Sequence, residues 1–172
     1  MKELGFQAVL PDSIGNAVKL IGSDWMLITA KDEQKGQINA MTASWGCMGV
    51  LWNKPVCVCF IRPQRHTFAL TEQNDRISLA FLGDGYRDAL RLCGTKSGKD
   101  TDKLKEAGLS AAEIDGIPVI REAKLVLLCR KLYADDLKQD CFIDPSLLSN
   151  YKANDFHRMY VLEIEGAYQK AD

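Results

Sequence analysis

The chain has 172 residues and a mass of 19.2 kDa, and its apolar and charged fractions, 47% and 26%, are those of a globular protein rather than a disordered or fibrous one. This length predicts one domain over residues 1–172, and the longest apolar run, Val56–Ile61, is too short for a membrane-spanning helix. The net charge of -1 gives no support to a nucleic-acid partner.

The first half of the chain predicts one helix, a hairpin, a buried strand and a second helix. Asp12 and Ser13 are typical N-cap residues before apolar positions at helical spacing, so we expect a short helix that ends near Gly22. A polar turn at 31–36 separates two extended apolar stretches, which predicts the hairpin. The expected bounds are Trp25–Ala30 and Gln37–Ala43 for the hairpin, Pro55–Arg62 for the buried strand and Gln64–Gln73 for the second helix.

The second half predicts strands with short helices between them. We expect the helix at 101–107 to be capped by Asp100 or Thr101 and to end at Gly108. About seven strands in all, with three or four helices that do not alternate strictly with them, fit a closed antiparallel barrel better than a parallel sheet. The expected elements are strands Arg76–Leu82, Ile117–Ile120, Ala123–Tyr133 and Met159–Tyr168, helices Tyr86–Leu92 and Thr101–Ala107, a loop Gly94–Asp100 and a helical turn Pro145–Tyr151.

The six cysteines predict free thiols rather than a disulfide framework. None forms a CxxC pair, and Cys57 and Cys59 alternate with valine, so on a strand both would point to the same, inner side. The apolar stretch after Lys2 is too short for a secretory signal, which together with reduced thiols indicates a cytoplasmic protein. The two histidines, His66 and His157, lack the ligand spacing of a zinc site.

The segment Arg62–Thr67 (RPQRHT) is a candidate anion site. Between Glu33 and Glu72 the chain carries four basic residues and no carboxylate. Within this interval the segment ends a strand and begins a helix, so free backbone amides, two guanidiniums and the Thr67 hydroxyl could bind a phosphate. The alternative is that both arginines are ordinary surface charges beside a helix.

The segment Asn39–Trp45 (NAMTASW) is a second candidate. Its small residues, hydroxyls and amide would let a flat ligand approach the backbone closely. On a strand, Thr42 and Ser44 would share one face and Ala43 and Trp45 the other. The alternative is a barrel strand that needs small side chains to fit the interior.

The loop Gly94–Asp100 (GTKSGKD) does not qualify as a P-loop. Only three residues separate its glycines, and Asp100 stands where that motif needs a hydroxyl. Its Ser97, Gly98 and Lys99 could still donate to an anion. Elsewhere no nucleophile–base pair stands out, so the sequence does not predict a hydrolase.

Three segments in this order, at 39–45, 62–67 and 93–103 (CGTKSGKDTDK), resemble the flavin reductase-like family of FMN-binding split barrels, and in particular its flavoredoxin-type branch. The resemblance implies a Greek-key antiparallel split barrel that forms a homodimer with FMN near the subunit interface. It implies flavin-ring contacts from the first segment, phosphate and ribityl contacts from the second, and a loop near the flavin from the third. The residues so implied are Asn39, Met41, Thr42, Ala43, Ser44, Trp45, Arg62, Arg65, His66, Thr67, Ser97, Gly98 and Lys99. Lys99 stands where arginine is commoner in the family, and the chain before Trp25 does not align with it.

The resemblance also implies an activity, that of an FMN-dependent oxidoreductase which takes electrons from NAD(P)H or from a redox partner protein. Hydride transfer to a flavin needs no protein acid or base, which agrees with the missing catalytic pair. Two alternatives stay open: a non-enzymatic FMN-binding electron carrier, and a thiol-based redox protein that uses Cys57 and Cys59.

Overall fold

The computed structural model describes residues 2–171, and ten β-strands lie in that range. They are β1 Phe6–Val9, β2 Met26–Lys31, β3 Ile38–Ala43, β4 Gly46–Leu51, β5 Lys54–Ile61, β6 Arg76–Leu82, β7 Ala111–Ile114, β8 Ile117–Ile120, β9 Ala123–Asp136 and β10 Arg158–Lys170. The α-helices are α1 His66–Gln73, α2 Arg87–Thr95 and α3 Lys103–Glu106. Short 3-10 helices occupy Lys2–Leu4, Pro11–Ser13, Asp84–Tyr86, Gln139–Cys141 and Pro145–Tyr151, and a π-helix occupies Lys19–Asp24. None of the helices in 2–171 has the length and hydropathy needed to cross a bilayer.

Eight of the strands form one antiparallel sheet that wraps around an apolar core. Their order is β3-β2-β6-β9-β10-β5-β4, and β1 pairs with the end of β10, with Phe6 opposite Lys170. Met41 of β3 and Met48 of β4 come from the two ends of this order, yet both pack in the same inner cluster. The sheet therefore curls on itself, which confirms the predicted antiparallel barrel with inserted helices.

The central strands are covered on both faces. On β6, Ile77, Leu79 and Phe81 point into the inner cluster, whereas Ala80 and Leu82 belong to an outer one. Helices α2 and α3 and the hairpin β7–β8 contribute to this outer cluster. Because neither face of these strands meets water, their sequences are continuous apolar runs rather than alternating ones.

The buried thiols lie inside the barrel. Cys57 and Cys59 are both fully buried in the inner cluster, which confirms the predicted inward orientation, and all six cysteines of the chain are free. Burial raises the pKa of Cys59 to about 12 and that of Cys57 well above its usual value, so both are protonated at neutral pH. Neutral, buried thiols are unreactive, which weakens the thiol-redox alternative.

Three strands, β1, β4 and β7, were not predicted, and the turn chemistry explains the miss of β4. The turn between β4 and β5 places Trp52 and Asn53 at φ angles of 52° and 56°, a conformation normally indicated by Asn-Gly. Because tryptophan is not a typical turn residue, no hairpin was predicted there. The turn between β7 and β8 does carry a hairpin signal, Asp115–Gly116, both with positive φ. The third, β1, has only four residues.

The helix bounds differ from the predicted ones in several places. The first predicted helix is a 3-10 turn at Pro11–Ser13 and, after three non-helical residues, a helical stretch at 17–24, which ends two residues beyond the expected Gly22. Helix α3 is capped by Asp102, whose carboxylate accepts from the Lys105 amide at 3.2 Å; the caps predicted at Asp100 or Thr101 were wrong. Helix α1 starts at His66 rather than Gln64, and α2 extends to Thr95, into the expected loop.

Candidate functional site

Strand β3 brings one polar side chain to the end of the barrel that α1 covers. Asn39 is buried, and its Nδ2 donates to the Thr67 Oγ1 of α1 at 2.8 Å. Gly98 lies directly on this amide, since a Cβ at that position would stand 2.3 Å from the Asn39 Oδ1. Thr67 is also buried, and its carbonyl accepts from the Thr71 hydroxyl. The three predicted segments therefore do meet, at Asn39, Thr67 and Gly98.

The rest of the first predicted segment serves packing or lies apart. Met41 and Ala43 point into the inner cluster, and the Thr42 hydroxyl donates to the Leu90 carbonyl of α2 at 2.5 Å. Beyond the end of β3, Ser44 is half-buried and Trp45 is exposed. Thr42 thus anchors a helix rather than facing an open groove.

Arg65 ties the start of α1 to the end of α2. Its guanidinium donates to the carbonyls of Gly94 at 2.7 Å and Cys93 at 3.3 Å. These carbonyls belong to the last turn of α2, where acceptors have no partner within the helix. Burial lowers the pKa of Arg65 from its usual value, but an arginine keeps its charge at any physiological pH.

A second cation converges on the same helix end. Lys103 is only 3% exposed, and its Nζ donates to the carbonyls of Cys93 and Lys96, both at 3.3 Å. No carboxylate within residues 2–171 forms an ion pair with it. Burial lowers the pKa of Lys103 to about 8. No role was predicted for this residue, although it is the last of the third segment, because a single lysine in a polar stretch carries no sign of burial.

Asn39, Gly98 and Lys103 border a cavity of about 710 Å³. Four lysines line it against three aspartates, and two of those, Asp32 and Asp102, accept from backbone amides of their own turns. His66 of α1 lines it too, and its Nδ1 is buried with no hydrogen-bond partner in the part of the chain that is described. Burial, helped by Lys99 and Lys103, lowers the pKa of His66, so its ring is neutral at pH 7. Besides Lys99 and Lys103, the lysines that line the cavity are Lys35 and Lys105. A buried, unpaired ring nitrogen beside lysines fits an anion that accepts hydrogen bonds.

The loop residues Ser97 and Lys99 belong to this cavity region. Lys99 lines the cavity and is exposed, and its backbone amide donates to the Ser97 Oγ at 3.2 Å. Together with Gly98 they form a compact turn between α2 and α3. The structure therefore groups Asn39, Arg65, His66, Thr67, Ser97, Gly98 and Lys99 around one end of the barrel.

Arg62 lies in a different environment. Its guanidinium forms an ion pair with Asp155, donates to the Asn150 carbonyl at 3.0 Å, and stands over the Tyr151 ring at 5.2 Å from the centroid. Gln64 donates to the same carboxylate at 2.7 Å, and these contacts lower the pKa of Asp155. Arg62 is thus neutralised by a carboxylate and is not among the residues of 2–171 that line the cavity.

An aromatic cluster surrounds that ion pair. His157 is buried, its Nδ1 shares a hydrogen bond of 3.0 Å with the Tyr151 hydroxyl, and its ring lies 5.1 Å from that of Trp45. Phe60 meets the imidazole edge-on at 6.4 Å. Burial, with Arg62 nearby, lowers the pKa of His157 to about 4, so the ring is neutral at pH 7.

Comparison with known proteins gives both sequence and structural likenesses. A family model described as "Flavin reductase like domain" matches residues 18–172. The uncharacterized protein YddH of Escherichia coli K12 is 27% identical over 135 residues, which are 76% of this chain and 71% of YddH.

Two solved structures share the fold. One is an FMN-binding domain of a flavin reductases-like enzyme from Shewanella baltica OS155, with a TM-score of 0.69 and 18% identity over 96% of this chain and 77% of that one. The other is a flavoredoxin from Methanosarcina acetivorans, with a TM-score of 0.65 and 23% identity over 85% of this chain and 68% of that one. At such identities the likeness shows the fold alone.

Proposed function

Since the chain belongs to the flavin reductase like domain family, we propose that it binds FMN and acts as an oxidoreductase of the flavin reductase type, with electrons supplied by NAD(P)H or by a redox partner protein. One fold relative is named an enzyme of this kind and another a flavoredoxin, and both names refer to a flavin or to redox chemistry. The observation that carries the proposal is the lysine-lined cavity with the unpaired His66 nitrogen.

The cavity supports a phosphate-bearing ligand by its donor set. Lys99 and Lys103 supply positive charge, and Gly98, which lines the cavity without a side chain, lets a ligand approach the backbone closely. A neutral His66 can donate from Nδ1 to a phosphate oxygen in the tautomer that carries its proton there. We therefore assign the phosphate end of FMN to His66, Gly98 and Lys99, beside Asn39, which lines the same cavity. Contacts of the flavin ring with residues 41–45 stay a prediction of the family resemblance.

This assignment changes the part that two predicted residues take. Arg62 would have to leave Asp155 to reach a phosphate, and Arg65 already donates to two carbonyls of α2. We propose that Arg65 and Thr67 hold the site's framework and that Arg62 stabilises the aromatic cluster. Bound FMN would supply the hydride and electron chemistry, and the chain's residues would bind and orient it and exclude water.

We also propose that the protein is a homodimer. Strand β4 lies at one end of the sheet order, and apolar side chains at its end and in the turn after it are exposed: Val50 by 78% of its surface, Leu51 by 41% and Trp52 by 56%. An unpaired edge strand with exposed apolar side chains favours association with a second copy, which buries the same surface on both subunits. Sedimentation of the native protein and of Trp52→Lys tests this; a wild type that sediments as a monomer contradicts it.

The decisive experiment is flavin titration followed by turnover. We expect purified protein to bind FMN with the fluorescence quenching of a sequestered ring, and to bind riboflavin, which lacks the phosphate, more weakly. A preparation that binds neither contradicts the proposal. With FMN bound, oxidation of NADH or NADPH with free flavin as acceptor supports the enzyme, whereas reduction only by a protein donor supports the electron-carrier alternative.

A further inference from the structure

The segment 138–156, between β9 and β10, leaves the sheet and returns to it at a single point. At its base the Leu137 amide donates to the His157 carbonyl at 2.9 Å, and the two strands pair as far as Asp136 and Arg158. We call this segment the strap. Because its two ends are fixed side by side, the strap can swing at its base without disturbing the strands.

The strap adds nothing to the two apolar clusters of the fold. Of its residues, all of which the structure describes, only Tyr151 is buried, none belongs to either cluster, and the Ile143 side chain is 99% exposed. Its packing is internal: the rings of Phe142, Tyr151 and Phe156 contact one another, with Tyr151 and Phe156 stacked at 4.7 Å. A segment outside the core opens at a lower free energy than the sheet.

Two side chains of the barrel hold the strap down. Apart from the bonds at its base, every hydrogen bond from the strap to the rest of the described chain comes from Arg62 or Gln64. Arg62 donates to the Asp155 carboxylate and, at 3.0 Å, to the Asn150 carbonyl, and Gln64 donates to the same carboxylate at 2.7 Å. The side chains of the ion pair, Arg62 and Asp155, are 25% and 21% exposed, so salt can weaken it.

The strap covers aromatic rings at the end of the barrel. Its Tyr151 meets the His157 imidazole edge-on at 5.6 Å and shares a hydrogen bond with it. The imidazole in turn lies beside the rings of Trp45 and Phe60, and with Tyr151 against it only 8% of His157 is exposed. Movement of the strap away from the barrel would therefore uncover His157 next to Trp45.

We propose that the strap is a gate: it opens about its base when the Arg62–Asp155 ion pair separates, and the open state exposes His157 and Phe60, beside Trp45, to a second molecule. The proposal goes beyond the flavin function and does not depend on it. Under the proposed function, the gate controls the approach of a second reactant to the Trp45 side of the flavin.

Chemical modification of the histidines tests the gate. Diethyl pyrocarbonate reacts with a neutral imidazole that it can reach, and His157 is neutral at pH 7 because burial lowers its pKa to about 4. Its modification rate, measured by mass spectrometry, therefore reports opening. We expect Asp155→Ala to raise this rate by roughly tenfold or more, since the strap loses its charge-assisted bonds to Arg62 and Gln64.

A matched variant and an internal reference make this comparison specific. Asp140→Ala removes the same charge from the strap, but Asp140 is exposed and its hydrogen bond stays within the strap, so this variant should match the wild type. His66, the other histidine of the chain, lies on α1 and should react at the same rate in all three proteins.

Amide hydrogen exchange in 138–156 gives a second measure of opening. Exchange should be faster in Asp155→Ala than in the wild type. Higher ionic strength should speed it in the wild type, after correction with an unstructured peptide, and should leave Asp155→Ala unchanged, because only the wild type has an ion pair to screen.

The outcomes decide the proposal without bound flavin. Equal rates at His157 in the wild type and Asp155→Ala overturn the gate, and so does an equal rise at His66, which would mean that the whole fold has loosened. If Asp155→Ala does not fold, as judged by circular dichroism, the wild type decides alone, because strap exchange that does not respond to salt contradicts the gate. A protein that binds no FMN overturns the proposed function and leaves the gate standing.

Discussion

The two arginines of one short segment lie in opposite electrostatic environments. Arg62, just after β5, is paired with Asp155 and stands over the Tyr151 ring, so its charge is neutralised. Arg65, three residues later, donates only to carbonyls and lies beside the buried Lys103. The break at Pro63 sends the two guanidiniums to different sides of the same end of the barrel.

This difference shows that the partner of a cation, rather than its presence, decides where an anion binds. The charge of an arginine that is paired with a carboxylate is already neutralised, and a phosphate would have to displace that carboxylate to bind. The charge of an arginine or lysine whose partners are carbonyl groups is not neutralised, so its positive electrostatic potential still acts on its surroundings. The cavity region therefore attracts an anion, and the aromatic cluster does not.

The largest expected effect comes from filling the close contact between Gly98 and Asn39. In Gly98→Ala the new Cβ would stand 2.3 Å from the Asn39 Oδ1, so the buried amide must rotate away from Thr67 or the loop must lift. We expect FMN affinity to fall by roughly 30-fold or more in titration. Gly85→Ala is the matched control, since no atom lies within 4 Å of its Cβ position, and it should bind FMN normally. Unchanged FMN affinity in Gly98→Ala would show that the loop at residues 97–99 is not part of the binding site.

A paired substitution tests the two arginines directly. Arg65→Met leaves the Gly94 carbonyl without its donor and removes one positive charge near the cavity, so we expect the Kd for FMN to rise by roughly tenfold. Arg62→Met should leave the ratio of FMN to riboflavin affinity unchanged, because its charge is already neutralised. Equal losses of FMN affinity in both variants would indicate that Arg62 also binds the phosphate.

The sequence predicted the barrel and the meeting of three segments, but not their internal arrangement. The apolar runs and the break at Pro63 depend on local chemistry, which a single sequence carries. The partner of Arg62 is Asp155, 93 residues away, and the burial of Lys103 depends on how α3 packs on α2. Such long-range contacts leave no local pattern. His157 was left without a role for the same reason: its neutrality comes from burial that the sequence does not show.

Acid titration should reveal the uncharged His157 in the aromatic cluster. Its pKa is near 6.5 in an unfolded chain and about 4 in the fold, so the unfolded state takes up the proton first. Stability is therefore lost as the pH falls from 6.5 toward 4, by about 1–2 kcal/mol from this residue after allowing for partial solvation. Chemical denaturation of wild type and His157→Gln at pH 7 and 4.5 measures it. If both lose the same free energy, the imidazole is already charged in the fold.

The smallest effect concerns the hydroxyl that holds this imidazole. Tyr151→Phe removes the 3.0 Å hydrogen bond to the His157 Nδ1 while keeping the ring under Arg62, so we expect a loss of about 0.5–1.5 kcal/mol in the free energy of unfolding. Tyr133→Phe is the control, because its hydroxyl bonds to Asp135 at the surface. FMN affinity should be unchanged in both variants, since neither alters a cation of the cavity. A fall in FMN but not riboflavin affinity in Tyr151→Phe would mean that the aromatic cluster and the cavity act as one anion site, with Arg62 within reach of the phosphate.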